Sequence, residues 1–156
     1  MTIRLLHTLA LFWMMAGVGA VIVPIWKAWA AKDLNVRSLL LQEAQRNEVQ
    51  WLIPGMLATL FTGVAWVSSD EANFNFIRTG WLLAIEIVFA LDGFIFLPLM
   101  GVGLRRVRLL ALQAQKRGQM TDELRDALAD NVPVVFATAI TLSVPVMTWL
   151  AIYKPF

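Results

Sequence analysis

Residues 83–96 read LAIEIVFALDGFIF. Apart from Glu86, Asp92 and Gly93 every position is apolar. Extended to Trp81–Leu104, the stretch exceeds the roughly 20 residues that a helix needs to cross a bilayer. Two carboxylates inside such a segment have one meaning in a membrane and another in water, so the rest of the chain has to decide.

Composition decides for the membrane. The 156 residues are 59% hydrophobic and 15% charged, with mean hydropathy +0.67. Soluble domains sit nearer half apolar and a quarter charged. The charges also gather, leaving three further stretches almost free of them: Leu5 to Trp29 (LLHTLALFWMMAGVGAVIVPIWKAW), Trp51 to Val67 (WLIPGMLATLFTGVAWV) and Val132 to Tyr153 (VPVVFATAITLSVPVMTWLAIY). The first resembles a secretory leader in its "AWA" at 28–30, but its apolar run is longer than the roughly 7–15 residues of a leader's hydrophobic region. The reading is a single domain over 1–156, an all-α integral membrane four-helix bundle with spans at 5–29, 51–67, 81–104 and 132–153.

The connections differ in kind. Residues 31–50 are polar with Leu39, Leu40 and Leu41 interspersed, which predicts a helical extension at the interface. Residues 68–79 predict a short loop. In 105–131 the third helix is expected to run on into water, break at Gly118 and restart with Thr121 as N-cap, Asp122 and Glu123 being favourable in its first turn. Proline falls in the first turn of the second and fourth spans (Pro54, Pro133), where its missing N–H costs little, and Pro145 predicts a kink.

Lys and Arg set the expected orientation. The connections 31–50 and 105–131, with Lys27, hold ten of them, and the opposite side only Arg4, Arg78 and Lys154. Positive short loops resist translocation, so both long connections are expected in the cytoplasm and both termini outside. Tryptophans agree, with Trp26, Trp29 and Trp51 near one interface and Trp66, Trp81 and Trp149 near the other. The expected setting is a bacterial inner membrane, with lipid, other membrane subunits or further copies of the chain as partners. Nucleic acid is not expected, since the basic residues flank apolar segments. The absence of Cys excludes disulfides and thiolate chemistry.

Asp92 is the first candidate for function. It lies mid-span, where insertion scales charge roughly 2.5–3.5 kcal/mol for Asp, so it should face the bundle interior and be protonated or hydrogen-bonded. Thr59, Thr62, Thr138, Thr141 and Ser143 are candidates at similar depth. Glu86, six residues earlier, stands about 9 Å and about 120° away along the helix, too far for a shared proton. His7, the lone histidine, is its expected partner. His7 is also a candidate haem ligand, with Met147 on the fourth helix as the second axial residue. No catalytic residue and no metal-ligand cluster is evident, and Gly17, Gly19, Gly55 and Gly63 read as close-packing positions.

Taken together, LLHTLALFW with its early His7, PGMLATLFTG, and GWLLAIEIVFALDGFIFLPLMGVGLRRVR with Pro98 resemble a bacterial family of predicted integral membrane proteins, domain of unknown function 2269. The resemblance covers nearly the whole chain. More remotely the pattern is similar to membrane proteins of copper resistance and HemJ-type protoporphyrinogen oxidation, which carry a His on their first helix. They follow it with Trp-x-Gly-Gly, whereas Trp13 here precedes MMAGVG. The functional expectation is a non-catalytic multi-pass protein, an accessory or assembly subunit of a membrane complex. The alternatives are a haem b redox protein using His7 and a proton- or metal-translocating protein using Asp92.

Overall fold

Backbone groups inside lipid must be satisfied within their own segment, which leaves helices as the default for long apolar stretches. The computed structural model describes residues 2–69 and 79–155, and all regular structure among them is helical. Four long helical segments, Ile3–Ala30, Leu34–Val67, Gly80–Arg117 and Asp122–Tyr153, are long and apolar enough to cross a membrane. We label Ile3–Ala30 α1, Leu34–Val67 α2 and Gly80–Arg117 α3. The last segment is broken at Asn131, which adopts φ +51°, a left-handed conformation that Asn tolerates. It therefore divides into α4 (Asp122–Ala129) and α5 (Val132–Tyr153).

The expected spans fall inside α1, α2, α3 and α5. Polar residues 34–50 continue α2 beyond the apolar part, and 105–117 continue α3. These two extensions pack on each other, and α4 folds back on the extension of α3. Leu41, Ala44, Val107, Ala111, Ala114, Leu124 and Ala127 form the core there, all 2% exposed or less. Gly118 takes φ +70° and ends α3. Thr121 caps α4 as its sequence predicts, its hydroxyl accepting from the Leu124 N–H at 3.3 Å. The expected loop at 68–79, with Arg78, lies largely outside the described residues.

Packing orders the helices. α1 runs along α2 and also touches α5, and α5 lies against both halves of α3. The α1–α2 contact is backbone to backbone. A Cβ on Gly17 would come within 2.8 Å of the Leu52 Cα, and one on Gly55 within 2.8 Å of the Met14 Cα. Gly19 has nothing within 4 Å, so it is not a packing glycine. At the end bearing the termini, the α2 segment Ile53–Val67 and the α3 segment Gly80–Leu91 do not pack on each other. The bundle is closed at its basic end and splayed at the other.

Arg37 ties the closed end together. The residue is 6% exposed. Nε donates to the Ala28 carbonyl at 3.0 Å, a second nitrogen donates to the Ala31 carbonyl, and the third meets Met120 Sδ at 3.9 Å. The carbonyls at a helix C-terminus lack intrahelical partners, and here a buried arginine from α2 supplies them.

Candidate functional site

Two turns among the described residues are wider than α-helix. Glu48–Leu52 in α2 and Asp92–Phe96 in α3 are π-helical. In each, the amide five residues on donates to the carbonyl of the first residue, Ile53 to Glu48 and Leu97 to Asp92. Both have a proline downstream: Pro54 and Pro98 follow six residues after Glu48 and Asp92. Proline has no N–H and its ring crowds the carbonyl four residues back, which favours an opened turn before it without requiring one, since the helices around Pro24 and Pro145 keep the α register. Both carboxylates sit at the start of a widened turn, and both are 2% exposed.

Asp92 reaches across to α5, where its Oδ2 is hydrogen-bonded to the Ser143 hydroxyl. The same hydroxyl lies 2.7 Å from the Ile140 carbonyl. Asp92 Oδ1 has no hydrogen-bond partner and neither has the hydroxyl of Thr59, itself 5% exposed. Gly93, beside Asp92, brings α3 up to Met56 of α2, whose methyl would lie 3.6 Å from a Cβ at 93.

Of the neighbours expected for Asp92, only Ser143 is bonded to it. The Thr62 hydroxyl donates to the Ala58 carbonyl at 2.6 Å and Thr141 to Ala137 at 2.9 Å, so their protons are taken by their own helices. Thr138 receives Trp26 Nε1 at 3.3 Å.

The expected His7–Glu86 pair is not formed. His7 Nδ1 is 3.1 Å from the Thr62 hydroxyl, and the ring stacks at 5.5 Å from Trp66 and abuts Gly63. The reason is the packing order: α1 lies on α2, while the Gly80–Leu91 half of α3 lies on α5. Glu86 Oε1 is buried without a hydrogen-bond partner. Since Thr62 already donates to Ala58, it is placed to accept from His7, which favours the ring proton on Nδ1. Met147 stands on α5, and His7 contacts α2. No group of three or more His, Cys, Asp or Glu that would hold a metal ion occurs among the described residues.

Glu48 was not among the sequence candidates. It lies under Gly101 of α3, where a Cβ would overlap Oε1, and its Oε2 has no hydrogen-bond partner. The Arg105 guanidinium, one turn beyond Gly101, acts on it electrostatically. The recurring carboxylate-x5-Pro spacing was the available signal.

Four membrane-length helices around buried, incompletely paired carboxylates define an integral membrane protein of the polytopic helical class. The chain belongs to the family described as predicted integral membrane protein, domain of unknown function 2269, which it matches over residues 1–155. No curated protein and no solved structure matches it.

Proposed function

We propose that this membrane protein handles protons through Asp92. The observation that supports it is a carboxyl 2% exposed at a π-turn, held by Ser143 through one oxygen and unpaired at the other. Intramembrane carboxyls are costly and mark proton and ion pathways, and π-turns inside α-helices concentrate at functional sites. The donor count around Ser143 favours a proton on Asp92. A hydroxyl has one proton for two acceptors, the Asp92 carboxyl and the Ile140 carbonyl. With Asp92 protonated, the acid donates from Oδ2 to Ser143 and Ser143 donates to Ile140, so each proton has one acceptor and only Asp92 Oδ1 is left over. Loss of that proton re-aims the Ser143 hydroxyl, a local switch between α3 and α5. A metal-translocating role has less support, because no second acidic or imidazole ligand joins Asp92 among the described residues.

On this reading the chain sits in a bacterial inner membrane with its basic end in the cytoplasm, by the charge asymmetry of its loops. The test is the purified chain in phosphatidylethanolamine/phosphatidylglycerol liposomes holding a pH-sensitive dye, with a potassium diffusion potential imposed by valinomycin. Wild type should pass protons, and Asp92→Asn should fold with no more than a small loss of thermal stability and pass none. A wild-type protein as tight as empty liposomes would overturn the reading.

A second reading, an accessory or assembly subunit of a membrane complex, is favoured by the Gly80–Leu91 half of α3, none of whose residues is buried. A helix so little covered by its own bundle has room for a helix of another subunit. Stoichiometric co-purification of a membrane partner, lost when Leu83 and Ile87 are replaced by tryptophan, would support it.

A further inference from the structure

Where the polar extensions of α2 and α3 leave the apolar spans, three side chains are left with unmet hydrogen bonds. Gln45 Oε1, Glu48 Oε2 and Arg108 Nε are buried without a partner. Two contacts fix how the extensions run against each other. Gln115 Nε2 donates to Asn35 Oδ1 at 2.9 Å, and Glu48 lies under Gly101. The helices are therefore antiparallel here, and Gln45 comes level with Leu104 and Arg105. Gly101, Arg105 and Arg108 follow one another on a single face of α3, as Gln45 and Glu48 do on α2. These residues make one polar seam between the two helices. The seam sits at the level of the membrane surface, because the apolar run of α3 ends at Leu104 and Arg105 follows it.

We propose that this seam binds the headgroup of a phosphatidylglycerol molecule. Its phosphodiester accepts from the guanidiniums of Arg105 and Arg108, whose planar fork matches phosphate oxygens. A hydroxyl of its glycerol donates to Gln45 Oε1. Among the described residues neither arginine forms an ion pair, unlike Arg106 and Arg125, which hold Asp130 and Asp122. Arg105 is exposed, and Gln45 and Arg108 are partly buried. A headgroup arriving at Arg105 thus reaches the other two by rotation of two long, flexible side chains. Glu48 stays beneath them, fixed under Gly101, with Arg105 acting on it electrostatically. The inference is independent of the proton-handling reading of Asp92.

Charge and hydrogen-bond count select the lipid. Two guanidiniums against one carboxylate leave one positive charge. The single negative charge of phosphatidylglycerol cancels it, and a zwitterionic headgroup does not. Phosphatidic acid carries the charge but lacks the glycerol hydroxyls that Gln45 calls for. The flanks of the seam suit acyl chains rather than a soluble phosphate ester. Val49, next to Glu48, is 52% exposed, and Val102, next to Gly101, is 66% exposed.

The test is native mass spectrometry of the whole chain from detergent micelles doped with dioleoyl phosphatidylglycerol, phosphatidic acid or phosphatidylethanolamine. Wild type should hold one phosphatidylglycerol more tightly than either other lipid, and excess glycerol 3-phosphate should not displace it. Arg108→Gln should weaken that binding about tenfold, the order expected for one hydrogen bond to a charged group. Arg117→Gln removes an equal charge from an exposed position at the end of α3 and should leave binding unchanged. Gln45→Leu should still bind phosphatidylglycerol but lose the preference over phosphatidic acid. Equal losses for Arg108→Gln and Arg117→Gln would mean that only diffuse positive charge attracts lipid, and would overturn the site. Displacement by glycerol 3-phosphate would overturn a lipid as its occupant. Should Arg108→Gln fail to fold, the wild-type comparison decides: tighter binding of phosphatidylglycerol than of the other two lipids supports the site, and equal binding overturns it.

Discussion

Asp92 on α3 and Ser143 on α5 are joined side chain to side chain, both less than 10% exposed. In membrane bundles such bonds average about 0.6 kcal/mol and reach about 1.7 kcal/mol. Ser143→Ala should therefore lower unfolding free energy in detergent by that amount. Asp92→Asn should lower it less, since an amide also bonds a hydroxyl, and Asp92→Leu by about 1–2 kcal/mol. Equal stability for Asp92→Leu and wild type would mean that the bond contributes nothing.

Glycine substitutions separate close approach from mere smallness. At Gly55 any Cβ meets the Met14 backbone at 2.8 Å, and backbone cannot rotate away. Gly55→Ala should cost about 1–3 kcal/mol by forced separation of α1 and α2. Gly19 faces open space, and Gly19→Ala should stabilise by roughly 0.5–1 kcal/mol through helix propensity. Thermal midpoints shifting in opposite directions for the two variants are the expected result.

Arg37 caps α1 from inside the protein, so its loss strands the Ala28 and Ala31 carbonyls. A buried acceptor left unpaired costs about 1–3 kcal/mol. Arg37→Met fills similar volume without donors and should destabilise by that order, and protease access at the Gly118 turn should rise because the Met120 contact goes with it. Arg37→Lys should recover only part, since one ammonium cannot span both carbonyls as the fork does.

Much of this architecture is written in composition and punctuation. Spans, the Gly118 break, the Thr121 cap and the close glycines Gly17 and Gly55 follow from apolar runs, left-handed turns and hydroxyl placement, which are local. Asp92 was legible as an interior carboxyl because a charge at mid-span has few places to face. Its partner was not, since choosing Ser143 over Thr141 depends on which hydroxyls are already spent on their own helix. The His7–Glu86 expectation failed for a similar reason: depth can be read from a sequence, but helix order around a bundle cannot. Glu48 was hidden by its polar neighbours, which made residues 31–50 read as surface. Only the widened turn reveals that this glutamate points inward.

Topology can be checked directly because the chain has no cysteine. Single cysteines at Ser68 and Gln119, both exposed, lie at opposite ends of the bundle. With an impermeant thiol reagent on intact cells, Ser68→Cys should label and Gln119→Cys should label only after permeabilisation. The reverse pattern would invert the proposed orientation and place the basic connections outside.

Pro98 gives the sharpest test of how the Asp92 site is made. Its missing N–H leaves the Phe94 carbonyl without an α-helical donor, the condition under which the turn before it widens. Pro98→Ala restores that N–H and allows the α register, with position 98 donating to the Phe94 carbonyl and Leu97 to Gly93 in place of Asp92. Closing a π-turn removes one residue from the turn count, which rotates everything on one side by about 100°. The side that yields is Gly80–Leu91, which buries no residue and resists rotation least. Asp92 then leaves Ser143. The expected outcome is that Ser143→Ala, costly in wild type, costs nothing in the Pro98→Ala background, a coupling that a double-mutant cycle reads directly. The same variant should lose proton flux although Asp92 is present. If Ser143→Ala is equally costly in both backgrounds, the proline does not set the turn, and the origin of the widened geometry must be sought in the packing of Gly93 against Met56.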